Sequence, residues 1–140
     1  LGSSYVSFMD SHEFNPDERK SVMYVDDEEL AYVMQRYREL HDFWHVLLGL
    51  PPSVRGELAL KWFELVQTGL PMTAISAVVG PSRLSSSEST SFWSVDVPWA
   101  IRSGQRAEFL MNVNVENLLN EPLDQLRKSL NIEVHPEVDR

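Results

Sequence analysis

The 140-residue chain contains no cysteine. A disulfide framework and a thiolate metal site are therefore both excluded. Positive charge is scarce as well. Twelve Lys and Arg against 21 Asp and Glu give a net charge of −9, which argues against a nucleic-acid backbone as partner. Contact with a membrane stays open, because a local apolar or basic patch can act against the average. No apolar run approaches the roughly 20 residues that a bilayer span requires, so the sequence predicts a chain that does not cross a membrane. It also lacks a glycine-rich phosphate loop, an internal repeat and any Ser/His/Asp set at recognisable spacing.

What is present points to a single folded unit. An apolar content of 43% is ordinary for a globular protein, and this length suits one domain with a real core. The periodicity predicts a compact multi-helix domain over residues 1–140, built around an antiparallel helix pair. Residues 132–140, with His135 before Pro136, read as a loosely held tail.

The clearest chemical pattern is His41-Asp42-x-x-His45, then eleven residues, then Glu57. It is written across one helix, the turn Gly49-Leu50-Pro51-Pro52 and a second helix. Histidines four apart share a helix face, and both can reach one metal ion. With the turn centred near Leu50, a rise of about 1.5 Å per residue sets Glu57 level with a point between the two histidines. Asp42 is rotated by about 100° from His41, as a fourth ligand at the rim or an acceptor that orients an imidazole. The set suits zinc or a similar divalent ion. Two plainer readings stand beside it. The histidines can bond to Glu57 in a helix interface with no metal, or Glu57 can pair with Lys61 one turn on. On so apolar a helix, an unpaired Glu57 is costly.

The remaining elements follow from the same rules. Residues 1–10 form a short helix with Tyr5, Phe8 and Met9 on one side. Residues 11–24, around Asn15-Pro16-Asp17, form a loop in which His12 is a surface residue. The first long helix starts at Asp26 as N-cap, with Glu29 completing a capping box and Val25 and Leu30 a hydrophobic staple. Leu30, Met34, Tyr37, His41, Trp44 and Leu48 then make a buried stripe that ends at Gly49. The second helix spans about 52–68 and is central, with Gly56 leaving room for a neighbouring helix or a ligand. A third runs over 71–79, its small apolar side chains either lining a groove or simply packing. The serine-rich residues 82–91 read as a mobile loop. A helix over 98–103 is closed by Gly104, with Trp93 and Trp99 as core. Residues 107–120 read as a short strand or a capped turn. A last helix over 122–130 stops at Asn131.

Several of these runs carry a resemblance. They are Tyr24-Val25-Asp26-Asp27-Glu28-Glu29-Leu30-Ala31-Tyr32, Arg36-Tyr37-Arg38-Glu39, His41-Asp42-Phe43-Trp44-His45 and Gly56-Glu57. With them go Lys61-Trp62-Phe63-Glu64, Gln67-Thr68-Gly69-Leu70-Pro71-Met72, Gly80-Pro81 and Pro98-Trp99-Ala100. Across nearly the whole chain, the sequence resembles the coenzyme Q (ubiquinone) biosynthesis family required for the ring C1 step and described as an organiser of the biosynthetic complex. The resemblance implies an all-helical fold and Zn2+ or another divalent metal on His41, Asp42, His45 and Glu57, which are then both ligands and catalytic residues. It implies removal of the C1 carboxyl from a polyprenylated hydroxybenzoate, in some accounts coupled to hydroxylation at the same carbon. The alternative is a non-catalytic lipid-binding scaffold that organises the pathway's enzymes.

The implied partners are the polyprenylated aromatic acid and other ubiquinone biosynthesis enzymes in a multi-subunit complex. The implied location is peripheral, on the matrix side of the mitochondrial inner membrane. Members of the family extend further at the N-terminus, with a targeting segment and more helices. A chain that starts at Leu1 is therefore expected to be a processed or truncated form. A zinc peptidase would want Glu in H-E-x-x-H, and position 42 is Asp. A histidine-aspartate phosphohydrolase would need further ligands, and His12 is poorly placed to be one.

Overall fold

A computed structural model describes residues 1–15 and 21–136. Among them the helices are α1 (Gly2–Ser11), α2 (Glu28–Leu48), α3 (Val54–Thr68), α4 (Pro71–Val79), α5 (Ser86–Ser91), α6 (Val97–Arg106) and α7 (Leu123–Ser129), with no strand. The fold is all-α, as the resemblance implied.

The core forms where the apolar faces of α2, α3 and α6 meet. Leu40, Trp44, Leu47 and Leu48 of α2, Leu60 and Phe63 of α3, and Trp99 and Ala100 of α6 are buried in one cluster. Each large apolar side chain withdrawn from water contributes about 1.5–3 kcal/mol, which is what holds the helices together. Packed closely against both α4 and α6, α3 is the hub. Gly104 lies inside α6 and does not close it, since the helix continues to Arg106 and is capped at Ala107. Its missing side chain lets α6 reach α3, because a Cβ there would stand 2.9 Å from Val66 Cβ.

Side chains of α2 and α3 meet in opposite order along the two helices. Tyr37 reaches Glu64, His41 reaches both Glu64 and Glu57, and His45 reaches Glu57. α1 lies across α2, with the Tyr5 ring stacked on Phe43 at 3.9 Å and planes 9° apart. Its start is tied down by the Leu1 ammonium, which donates to the Glu121 carbonyl, and by the Gly2 amide, which donates to that of Leu119.

Several expectations are corrected. The N-cap of α2 is Asp27, not Asp26; its side chain accepts from the Leu30 amide at 2.9 Å, so the Asp26/Glu29 capping box does not form. Leu30 is 58% exposed, because the first turn of α2 projects beyond the elements that bury the rest of the stripe. α3 begins at Val54 with Ser53 as its N-cap. The serine-rich stretch is not a loop. Ser85 and Glu88 form a reciprocal capping box that starts α5, and a π-helical stretch, Phe92–Asp96, carries it into α6. Trp93 is 47% exposed while Trp99 is core. Residues 110–118 contain two 3-10 turns and no strand.

The tail is also corrected over its described part. His135 is buried, its amide donates to the Leu48 carbonyl at 2.9 Å, and the Glu133 carbonyl accepts from Trp99 Nε1. Residues 137–140 lie outside the described part, as do Pro16 and Asp17 of the expected first loop. From α7, the Arg127 guanidinium donates to the Val46 and Leu47 carbonyls. Orphan acceptors at the end of α2 thus take their donors from the C-terminal part of the chain. No described helix is long and apolar enough to cross a membrane.

Candidate metal centre

The site is built by the way α2 ends and α3 begins. Gly49 adopts φ 71°, the left-handed conformation that closes α2 without steric cost. Two prolines follow, and Ser53 then accepts from the Gly56 amide to start α3. Gly56 was expected to make room for a neighbour. The neighbour is the chain's own turn, since a Cβ at position 56 would lie 2.0 Å from the Pro51 carbonyl oxygen. With no side chain there, α3 folds straight back, and Glu57 on its first turn faces α2.

Glu57 bridges the two histidines. Its Oε1 lies 3.0 Å from His45 Nε2, and its Oε2 lies 3.4 Å from His41 Nε2. One ligand atom from each of the three residues falls within 4.8 Å of the others, a spacing at which one ion can touch all three. The imidazoles stand edge to face with centroids 4.9 Å apart. Phe8 of α1 stacks on the His45 ring at 5.5 Å and shields it from solvent, while Glu57 is 39% exposed and leaves the opposite side accessible.

The protonation pattern follows from the partners. His45 Nδ1 lies 3.0 Å from the Leu50 carbonyl, an acceptor only, so Nδ1 carries the hydrogen. The buried Nε2 therefore presents a lone pair towards a carboxylate, and it makes no hydrogen bond despite the 3.0 Å approach to Glu57. His41 Nδ1 lies 2.7 Å from Glu64 Oε1. Burial opposes charge on His41, but hydrogen bonds to Glu57 and Glu64 outweigh it and raise its pKa above the ordinary histidine value. Burial likewise pushes the Glu57 carboxyl up, and the close approach of the His41 and His45 rings overcomes it and holds the group well below the usual range. Acceptors converge here without a fixed cation among them. That arrangement fits a divalent ion on His41, His45 and Glu57.

The other sequence expectations divide. Asp42 is buried on α2 but stands outside this trio. Lys61 does not take up Glu57; it turns to Glu64, with Nζ 2.6 Å from Oε2. His12 is exposed and near the Phe8 carbonyl, away from the trio. Glu64 is the residue that sequence reasoning missed. It is fully buried and also accepts from the Tyr37 hydroxyl at 2.5 Å. Its signal was the seven-residue step from Glu57, which returns to the same helix face after two turns.

A second histidine–carboxylate cluster lies nearby. Arg55 donates to both oxygens of buried Asp96, at 2.6 and 2.7 Å, and His135 Nε2 lies 3.0 Å from Asp96 Oδ1. Burial alone would raise the Asp96 carboxyl, but the hydrogen bonds from His135 and Arg55 hold it below the usual carboxylate range.

Fold and site together define an all-α protein whose two central helices bring two imidazoles and a carboxylate to one point. The chain belongs to the coenzyme Q (ubiquinone) biosynthesis protein Coq4 family, whose family model matches residues 1–136. Among curated relatives, the mitochondrial ubiquinone biosynthesis protein COQ4 homolog of Bos taurus is 48% identical over 136 residues, covering 97% of this chain and 51% of its own. The COQ4 protein of Arthroderma otae is 51% identical over 138 residues, covering 99% and 51%, and the homolog of Nematostella vectensis is 48% identical over 135, covering 94% and 65%. The chain thus spans about half the length of the first two and under two thirds of the third. A crystal structure from Nostoc punctiforme PCC 73102 superposes with a TM-score of 0.74 at 24% identity, covering 91% of this chain and 60% of that one. At that identity the likeness shows the fold alone.

Proposed function

We propose that this protein acts in ubiquinone biosynthesis as a metal-dependent carboxy-lyase, removing the C1 carboxyl of a polyprenylated hydroxybenzoate, with or without hydroxylation at the same carbon. The observation that carries the metal part is the convergence of His41 Nε2, His45 Nε2 and the Glu57 carboxylate, with His45 Nε2 buried and unsatisfied. These three hold the ion, zinc or a similar divalent metal, and Asp42 completes the set that the family signature implies. When bound, such an ion supplies Lewis-acid stabilisation of a carboxylate or phenolate oxygen. The chain's own residues fix the geometry. Phe8 excludes water behind His45, the Leu50 carbonyl orients its ring, and the exposed edge of Glu57 marks the open side from which an aromatic acid approaches. Membership of the family and the ubiquinone biosynthesis names of the relatives support the pathway.

The relatives' mitochondrial names support a mitochondrial location, and a lipid-tailed substrate places the protein peripherally on the matrix side of the inner membrane, among other enzymes of the pathway. A second reading is a lipid-binding scaffold that organises those enzymes without catalysis. The outer face of α4 favours it, because Met72, Ile75, Val78 and Val79 are all exposed.

Bound-metal analysis combined with turnover of a short-tailed hydroxybenzoate analogue tests the first reading. About one divalent ion per chain is expected, as for a mononuclear site, with metal and turnover both lost in His41→Ala and Glu57→Ala. Ordinary decarboxylation by metal-stripped protein overturns it. Variants that stay folded and still recruit partner enzymes without turnover separate catalysis from scaffolding.

A further inference from the structure

We infer that Glu64 is a positioning residue of the metal centre, fixing His41 as the Nδ1-protonated tautomer and so dedicating His41 Nε2 to the ion. The inference rests on the metal reading given above and adds a residue that the His-Asp-x-x-His…Glu pattern does not contain.

Glu64 is wholly inaccessible to solvent, and a carboxylate in that position is tolerated only when donors surround it. Three do so. The Tyr37 hydroxyl at 2.5 Å and Lys61 Nζ at 2.6 Å both address Oε2, which leaves Oε1 for His41 Nδ1 at 2.7 Å. Lys61 supplies the positive charge that keeps Glu64 ionised, and an ionised carboxylate can only accept. A hydrogen of His41 must then sit on Nδ1, which leaves Nε2, 3.4 Å from Glu57 Oε2, as the nitrogen for the ion. His45 is set the same way round by a different acceptor, the Leu50 carbonyl. Both imidazoles are therefore locked from behind with their Nε2 atoms forward. A carboxylate behind a ligating histidine also raises the basicity of the nitrogen in front.

The competing view is that Glu64 merely neutralises Lys61 and pins α2 to α3. The two views part at the ion. On the positioning view, Glu64→Gln weakens zinc binding by about 10–100-fold, the usual range for partners that orient a ligating histidine, and shifts the visible absorption bands of the cobalt-substituted protein. Asp96→Asn removes a comparably buried carboxylate from the other cluster and is expected to leave both readouts unchanged. Zinc affinity and a cobalt spectrum in Glu64→Gln equal to those of the unsubstituted protein overturn the inference, and so does an equal loss in Asp96→Asn. An unsubstituted protein that binds neither zinc nor cobalt overturns the metal reading itself, and the inference with it. Where Glu64→Gln does not fold, the long-range 1H–15N spectrum of the zinc-loaded unsubstituted protein decides the matter. Protonated Nδ1 on His41 is expected, and protonated Nε2 overturns the inference.

Discussion

Arg55 and Glu57 stand two residues apart on the first turn of α3, roughly 200° apart around its axis, and each leads to a cluster that contains a histidine. On the Arg55 side, Asp96 receives two hydrogen bonds from a guanidinium and a third contact from His135. Charge and donors are balanced there, and the product is a latch that fastens residue 135 to the body of the fold. On the Glu57 side, the carboxylate meets two ring nitrogens and no fixed cation, and one of those nitrogens is buried without a donor. The difference teaches how to sort histidines that touch carboxylates. Where a guanidinium or ammonium already completes the charge, the histidine has its partner; where acceptors outnumber donors, it is a candidate metal ligand.

The largest effect expected from breaking this comparison is at the open cluster. His45→Ala should reduce bound divalent metal from about one per chain to none, with the helical circular-dichroism signal retained. At the latch the consequences reverse. Asp96→Ala removes the buried carboxylate that Arg55 and His135 share and should cost about 3–5 kcal/mol of stability in urea unfolding, with metal content unchanged. The same carboxyl sets a pH limit. Its folded pKa is depressed, so its contribution is present above the unfolded value near 3.9 and is lost as pH falls through the lower folded value. Asp96→Asn should flatten that acid arm of the stability profile.

A smaller change joins the two clusters, because Gly56 sits between Arg55 and Glu57. Gly56→Ala drives a methyl into the Pro51 carbonyl and should cost about 1–3 kcal/mol as overpacking does, while also weakening metal binding by displacing Glu57. The smallest effect lies outside both clusters. Ser85→Ala removes the capping box of α5 and should cost about 1 kcal/mol, with metal content untouched.

The trio was legible in the sequence because each part of its geometry is local. Four-residue spacing puts His41 and His45 on one face, and a short Gly/Pro turn returns Glu57 to their level. Lys61 was ambiguous for the same reason. It is spaced to reach either Glu57 or Glu64, and only the fold, which buries Glu64 beside Tyr37, decides. The latch was illegible because its members are distant in sequence, with His135 and Asp96 39 residues apart. Residues 82–91 misled by composition. Serine richness signals a loop, whereas the Ser85-x-x-Glu88 capping pattern within it signals a helix start, and the pattern governs. Leu30 fits the periodicity of its stripe but is more than half exposed on the projecting first turn, and periodicity cannot show where a neighbour ends.

The ending of α2 has a bearing on how the protein comes into being. Among the described residues, the carbonyls of Val46, Leu47 and Leu48 find donors in Arg127 and His135, some eighty residues later in the chain. During synthesis, the helix bearing both imidazoles leaves the ribosome long before the groups that finish it. A nascent chain halted before residue 127 would carry the entire His-x-x-x-His…Glu pattern and still lack the lock on its last turn, so the centre matures only after residue 135 has followed.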